Sequence, residues 1–376
     1  MLEKIQEICW EQLQHAYGTA EDVPSLIQAL VTDNYSQAIY ELYGNIWHQG
    51  TVYEATPVTI PFLIELLEYE SIPSRAEILV LLAHLACGHS YLEVHGDLPW
   101  YDSQRNSSDF REQLQKEQEW VESSYLAVSS GMSVYRRLLE DESHQVRSNA
   151  AYLLSLFPQS VELVPLLMEL QADEEHPATR ASLLLSLGTL GRTEDDVADL
   201  LGHVLHHCDE PLPQLAAAMA LARTQVPMPE FALSLLLHTL KNIDAVDEGY
   251  AELPWATGTV VADISQLLSE MGPEVQEEAL PQLLGVLDNV PAYSALHVAE
   301  ALLALTFPQG LGALQIEPLN PSQRQVLEAL GKSDNVWTFN LNLSDLLNFY
   351  GLPDWRDKLQ MFLEKQIYAS NAAFQA

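Results

Sequence analysis

The sequence predicts an all-α fold in which paired helices stack side by side into an α-α superhelix. Helical hairpins recur along most of the 376 residues at steps of 33 to 47, and such periods are typical of stacked helical repeats. The alternating pattern that indicates strands does not recur. The 48% hydrophobic content is that of a folded chain, and no apolar run reaches the ~18 residues that cross a bilayer.

The clearest hairpin is DESHQVRSNAAYLLSLFPQSVELVPLLMEL, residues 141–170. Asp141 and Ser143 can accept hydrogen bonds from the free N–H groups at the start of its first helix. Apolar residues then follow at steps of three and four, which places them on one helical face. Pro158 ends this helix, and a second apolar run over 161–170 follows at once. The short break predicts two antiparallel neighbouring helices.

Later first helices align with this one. The aligned positions are Leu154, Leu187, Leu221, Leu268 and Ala304, at steps of 33, 34, 47 and 36 residues. FPQS at 157–160 recurs as FPQG at 307–310, which supports the register. The longest step contains an insertion at 245–258. Repeats of paired helices are therefore expected along most of the chain.

The spaced pattern of Asp141, Val146–Arg147, Ala150–Ala151 and Leu154 resembles the first helix of a HEAT repeat. In addition, LYGNIWHQGTVYEAT followed by PFLIELL, and the closing GLPDWRDKLQMFL, are similar to a bacterial family of HEAT-repeat proteins. This resemblance implies a HEAT/armadillo-like solenoid with a binding role and no reaction. HEAT-like repeats also occur in bilin lyase subunits and in alkylpurine DNA glycosylases, and the latter use basic grooves.

We predict three parts of the chain. They are an N-terminal helical cap over 1–33, HEAT-like repeats over 34–310 with insertions at 89–125 and 245–258, and an irregular C-terminal helical cap over 311–376. The first insertion opens with a long polar excursion at 89–108. Its delayed helix is expected to start at Asp109, because Glu112 three residues later completes a capping-box pattern.

The charge is strongly acidic. The chain has 17 Lys and Arg against 53 Asp and Glu, a net charge of −36. No Lys or Arg occurs between Lys4 and Arg75, where ten acidic residues fall, or between Lys241 and Arg324, where twelve fall. Because phosphate backbones are bound through Lys and Arg, direct nucleic-acid binding is disfavoured. The charge would attract a basic protein, although it could equally serve only solubility.

These observations predict a non-catalytic scaffold that binds a protein partner, expected to be basic, without a cofactor. Three alternatives remain. One is an immunity or antitoxin protein that blocks a basic toxin; another is a bilin lyase or chaperone-like subunit; the third is a hydrolase or metalloenzyme. Cys9, Cys87 and Cys208 are odd in number and far apart, and no signal-peptide pattern precedes them, so a cytoplasmic location is expected.

Candidate partner-binding residues lie in three polar, aromatic segments: Trp47, His48, Gln49 and Tyr53; Trp100 and Tyr101; and Trp255. Aromatic residues on loops are frequent anchors of interfaces. The first segment could also be a structural turn, in which Gly50 allows an unusual backbone. The aromatic residues of the two insertions could likewise fold back onto the helices.

Two groups of residues could supply metal ligands. One is His84, Cys87, His89 and His95, and the other is His203 with His207. Neither completes a known ligand spacing. Core packing and a polar helix end explain them better, and no nucleophile lies in a recognisable catalytic motif. We therefore predict no catalytic, cofactor-binding or metal-binding residue.

Overall fold

A computed structural model describes residues 1–224, 228–310 and 319–373. Helices account for 71% of the structure, and the predicted all-α class, a HEAT-like solenoid of paired helices, is confirmed. The chain divides into two compact units, Met1–Leu190 and Gly191–Ala376. Within the described ranges, no helix combines the length and the apolar composition that a bilayer crossing requires.

The first unit opens with irregular structure. Two 3-10 turns (Glu3–Glu7 and Trp10–Gln12) precede a hairpin of β1 (Gln14–His15) and β2 (Gly18–Thr19). Next come α1 (Val23–Ala29), α2 (Tyr35–Ile46), a second hairpin of β3 (Trp47–His48) and β4 (Thr51–Val52), and α3 (Ala55–Leu67). The unit continues with α4 (Arg75–Ala86), α5 (Tyr91–His95), α6 (Ser108–Ser129), α7 (Met132–Leu138), α8 (His144–Ser155), α9 (Val164–Asp173) and α10 (Pro177–Leu190).

Three first helices of this unit stack in a row, because α8 packs against both α4 and α10. Small polar side chains cross between them. The Ser182 hydroxyl donates to the Ser148 carbonyl at 2.9 Å, and the Asn149 amide donates to the Ala76 carbonyl, also at 2.9 Å. Buried polar groups are stable only when bonded, so these contacts fix the spacing and register of neighbouring repeats.

Two buried ion pairs connect the repeats of the first unit. Arg75, at the start of α4, pairs with Asp141, just before α8, with side chains 10% and 8% exposed. Arg147 on α8 pairs through two 2.8 Å hydrogen bonds with Glu174, just before α10. Asp141 accepts from the Ser143 N–H. The carboxylate predicted as a helix cap therefore closes a turn and neutralises an arginine of the preceding repeat.

The second unit holds the remaining helices: α11 (Asp195–His207), α12 (Pro211–Arg223), α13 (Glu230–Thr239), α14 (Asp247–Ala251), α15 (Val260–Met271), α16 (Gln276–Val286), α17 (Ala292–Thr306), α18 (Pro321–Lys332), α19 (Asn340–Phe349) and α20 (Arg356–Ala373). The helix α12 packs between α11 and α13, and α15 packs against α17. Asp263 on α15 accepts from the Tyr250 hydroxyl at 2.8 Å and from the Thr257 backbone and hydroxyl. This buried carboxylate ties the insertion at 245–258 to the repeat.

The structure departs from two details of the sequence prediction. Within 1–33 only α1 is an α-helix, because the preceding segment forms 3-10 turns and a hairpin. The helix α6 packs on α3 and α4 as the second helix of its repeat, and its cap is Ser107, which accepts from the Phe110 N–H at 3.1 Å, in place of Asp109. Residues 311–318 and 374–376 of the predicted C-terminal cap lie outside the described residues; the domain boundaries stay a prediction.

Candidate interaction surface

The second hairpin, between α2 and α3, has a two-residue turn formed by Gln49 and Gly50. Their φ angles are 51° and 91°, and positive φ at both turn positions matches the twist of the paired strands. The backbone of His89 then adds to this hairpin, donating to the Gly50 carbonyl at 2.8 Å and accepting from the Val52 N–H at 3.0 Å. The hairpin therefore connects the first repeat to the start of the first insertion.

Three aromatic side chains meet where α2 runs into this hairpin. The Trp47 ring lies edge-on to Tyr43 at 5.6 Å between centroids and against His84 at 5.0 Å. Burial lowers the pKa of His84, and a 2.9 Å hydrogen bond joins its Nδ1 to the Tyr43 hydroxyl. This bond fixes both rings, so Trp47 is held in place by neighbours on α2 and α4.

Tyr17 brings the first hairpin to the same place. It lies in the turn between β1 and β2, and it is 70% exposed. The Tyr17 hydroxyl lies 3.3 Å from Nδ1 of His48, and the two rings meet edge to face with their centroids 5.2 Å apart. A Cβ added at Gly44 would lie 3.9 Å from Cε2 of Tyr17, so the ring also rests beside the bare backbone of α2. We call Tyr17, Tyr43, Trp47, His48 and His84 the hairpin patch.

Two carboxylates support the first hairpin without a Lys or Arg partner. Asp22 accepts from Nε2 of His15 at 3.1 Å and from the Asn45 amide at 2.7 Å, and Glu54 accepts from the Gln14 N–H at 3.2 Å. Among the described residues, neither carboxylate forms an ion pair with Lys or Arg. In the described ranges, no permanently charged side chain therefore neutralises these carboxylates, which lie at the hairpin that carries the exposed Tyr17.

The first insertion forms a second aromatic group, which we call the insertion cluster: Tyr91, His95, Trp100, Tyr101 and Phe110. Tyr91 stacks on His95 at 4.4 Å, and Tyr101 meets Phe110 edge-on at 5.8 Å. Trp100 is 62% exposed. The Arg105 side chain donates to the Gly96 carbonyl at 2.6 Å. This hydrogen bond joins two distant points of the polar segment 89–108.

The predicted contact residues therefore separate into distinct environments. Trp47 and His48 belong to the hairpin patch, and Gln49 is exposed at its turn. Tyr53 is half-buried; burial raises its pKa, and its hydroxyl is bonded to that of Thr51 at 2.8 Å. Trp255 lies in the second unit, where the Arg223 guanidinium sits 5.5 Å from its ring centroid.

The sequence missed three members of the hairpin patch. Tyr43 is four residues before Trp47 and shares its helical face, so the spacing carried a signal. His84 lies on α4, and nothing in its local sequence indicated that it would contact Trp47. Tyr17 gave no indication either, because a turn residue can contact a distant segment only through the tertiary fold.

The histidine groups considered as metal sites remain apart or stack. In the described part of the chain, no three of His84, Cys87, His89 and His95 bring ligand atoms within 4.8 Å of one another. His84 is bonded to Tyr43, and His95 lies on Tyr91. His203 and His207 stack at 4.4 Å on the exposed face of α11. Ring packing accounts for these contacts.

The chain matches a known family of helical repeats. A model for HEAT repeats matches residues 134–222. The chain contains HEAT repeats. The match covers the helices α8, α10 and α12, and HEAT repeats are generally scaffolds for protein interaction. No curated protein matches the chain.

Proposed function

We propose that the protein is a non-catalytic, cytoplasmic scaffold that binds a basic protein partner on the surface built by residues 5–74. The HEAT repeats support the scaffold role. One observation supports a basic partner at this surface: the segment contributes ten acidic residues and no Lys or Arg. It also carries the hairpins that hold the exposed Tyr17 and the half-buried Trp47.

Charge and aromatic rings have complementary roles in this proposal. Uncompensated carboxylates attract a basic partner over long range and speed its association. Charge alone gives little affinity at an exposed surface, because each exposed ion pair contributes only about 0–1 kcal/mol. Exposed rings supply the buried contact area, and aromatic residues are enriched among interface residues that dominate binding energy. The surface of residues 5–74 combines both features.

The test uses the purified full chain and a panel of small globular proteins of matched size, half of them basic and half acidic. Surface-based kinetics at low and moderate salt measure association and dissociation. We expect binding only to basic proteins, with association that slows as salt screens the charges. Binding to acidic proteins, or affinity that is indifferent to salt, contradicts the proposal.

A matched pair of variants locates the surface. Glu21 and Glu54 both hydrogen-bond the first hairpin, and the double variant Glu21→Gln, Glu54→Gln keeps their shape while removing two charges. The control is Glu277→Gln, Glu278→Gln on the exposed face of α16. We expect slower association in the first variant only. Equal slowing in both would show that overall charge, and not this surface, attracts the partner.

A further inference from the structure

We propose that the hairpin patch binds arginine side chains of the partner in preference to lysine. This inference rests on the proposed function, and it adds the chemical identity of the group that is bound. It depends on three features that meet at the first two hairpins: an exposed ring, a supported indole, and carboxylates that pair with no Lys or Arg among the described residues.

The exposed ring is Tyr17. Its edge-to-face contact with His48, at an interplanar angle of 75°, leaves most of the tyrosine ring in solvent, since the residue is 70% exposed. The tyrosine backbone is fixed, because its N–H donates to Nδ1 of His15 at 3.0 Å. A flat group from a partner can therefore lie on a ring whose position is already set, which reduces the ordering cost of binding.

A guanidinium suits such a ring better than an ammonium. It is planar, weakly hydrated and able to stack, whereas the lysine ammonium is a compact and strongly hydrated charge. A cation within about 6 Å of an aromatic centroid gains a cation–π attraction. The chain makes such a contact within its own second unit, where Arg223 lies 5.5 Å from the Trp255 centroid.

The carboxylates favour the same ligand. Asp22 has a side chain 48% exposed, and the two side chains that hydrogen-bond it, His15 and Asn45, are not permanently charged. A guanidinium presents several donors in one plane, so it can stack on an aromatic ring and still bond a carboxylate at the edge of its plane. Lysine has no flat face to stack, and for this reason we expect it to bind here through charge alone.

The test compares two synthetic peptides of equal length and charge, one alternating arginine with glycine and one alternating lysine with glycine. Fluorescence anisotropy of the labelled peptides measures binding to the full chain at low salt. We expect the arginine peptide to bind more tightly. Tyr17→Leu and Trp47→Leu should each weaken the arginine peptide about two- to fivefold and leave the lysine peptide nearly unchanged, which removes the preference.

Phe349→Leu is the control, because Phe349 is 81% exposed on the second unit and its loss removes a surface ring elsewhere. The circular dichroism and melting temperature of each variant show that it is folded; Tyr17→Leu is the decisive variant because its side chain is not buried. Equal binding of both peptides, or a preference that survives in Tyr17→Leu, overturns the inference while the scaffold proposal stands. If neither peptide binds, the proposed function fails together with this inference.

Discussion

The ion pair between Arg75 and Asp141 should be a major source of coupling between the first repeats. Both side chains are about nine-tenths buried, and two hydrogen bonds join them. Asp141→Asn leaves the guanidinium buried without its counter-charge. Removing one partner of a buried pair typically costs about 3–5 kcal/mol. The Asn oxygen can still accept from the Ser143 N–H, so most of the loss should come from the pair itself.

The measurement is urea denaturation of the full chain followed by far-UV circular dichroism, with hydrogen exchange of the α4 and α8 amides to place the loss in the first unit. Glu112→Gln is the control, because its ion pair with Lys116 is 70% and 53% exposed. Such an exposed pair contributes at most ~0.5 kcal/mol. The double variant Arg75→Met, Asp141→Asn removes both charges, and it should be more stable than Asp141→Asn alone.

Two results would refute this reasoning. One is a loss in Asp141→Asn no larger than the loss in Glu112→Gln, which would show that the buried arginine finds water or another acceptor. The other is a double variant as unstable as the single one, which would assign the effect to the turn before α8. A coupling energy of about 0.5–3 kcal/mol between the two positions is the expected outcome.

Three further predictions concern other contacts. Burial would raise the pKa of Glu174, but the hydrogen bonds from Arg147 and the His176 backbone, together with the Arg147 charge, outweigh it and lower the pKa. The pair therefore stabilises the fold above the ordinary glutamate pKa, and this stabilisation is lost as the pH falls through the lowered value. Glu174→Gln should flatten the dependence of the free energy of unfolding on pH in this acid range, measured by urea denaturation at successive pH values. Asp263→Ala leaves the buried Tyr250 hydroxyl unpaired and should lower the free energy of unfolding by about 1–3 kcal/mol. Limited proteolysis should then cut within 245–258, and an uncut insertion would contradict this. Gly50→Val forces a branched side chain to φ 91° and should destabilise the fold by about 1–2 kcal/mol. The control Gly202→Ala places a methyl group in open space on a helix and should stabilise the fold by about 0.5–1 kcal/mol. Equal melting temperatures for the two variants would argue against strain at the turn.

The helix α8 could be predicted from the local sequence pattern, whereas the contacts between the two hairpins could not. The first helix of the 141–170 hairpin was predicted from apolar spacing and the proline after it, and it forms as α8 (His144–Ser155). Helical hydrogen bonds join residues four apart, so the sequence window that encodes them is short. The ion pair of Asp141 could not be predicted in this way, because its arginine partner is 66 residues away.

The sequence by itself determined the class of fold, the helical repeats and the charge of the surface. Those properties depend on residue type and on spacing within a few turns of helix. Only the tertiary structure decided that Tyr17 lies beside His48, that Tyr43 and His84 hold Trp47, and that Trp255 stacks on an arginine. Except for Tyr43 and Trp47, which are four residues apart, these contacts join side chains that have no regular spacing along the chain. They form because packing of the repeats brings distant segments together, and no local pattern encodes that distance.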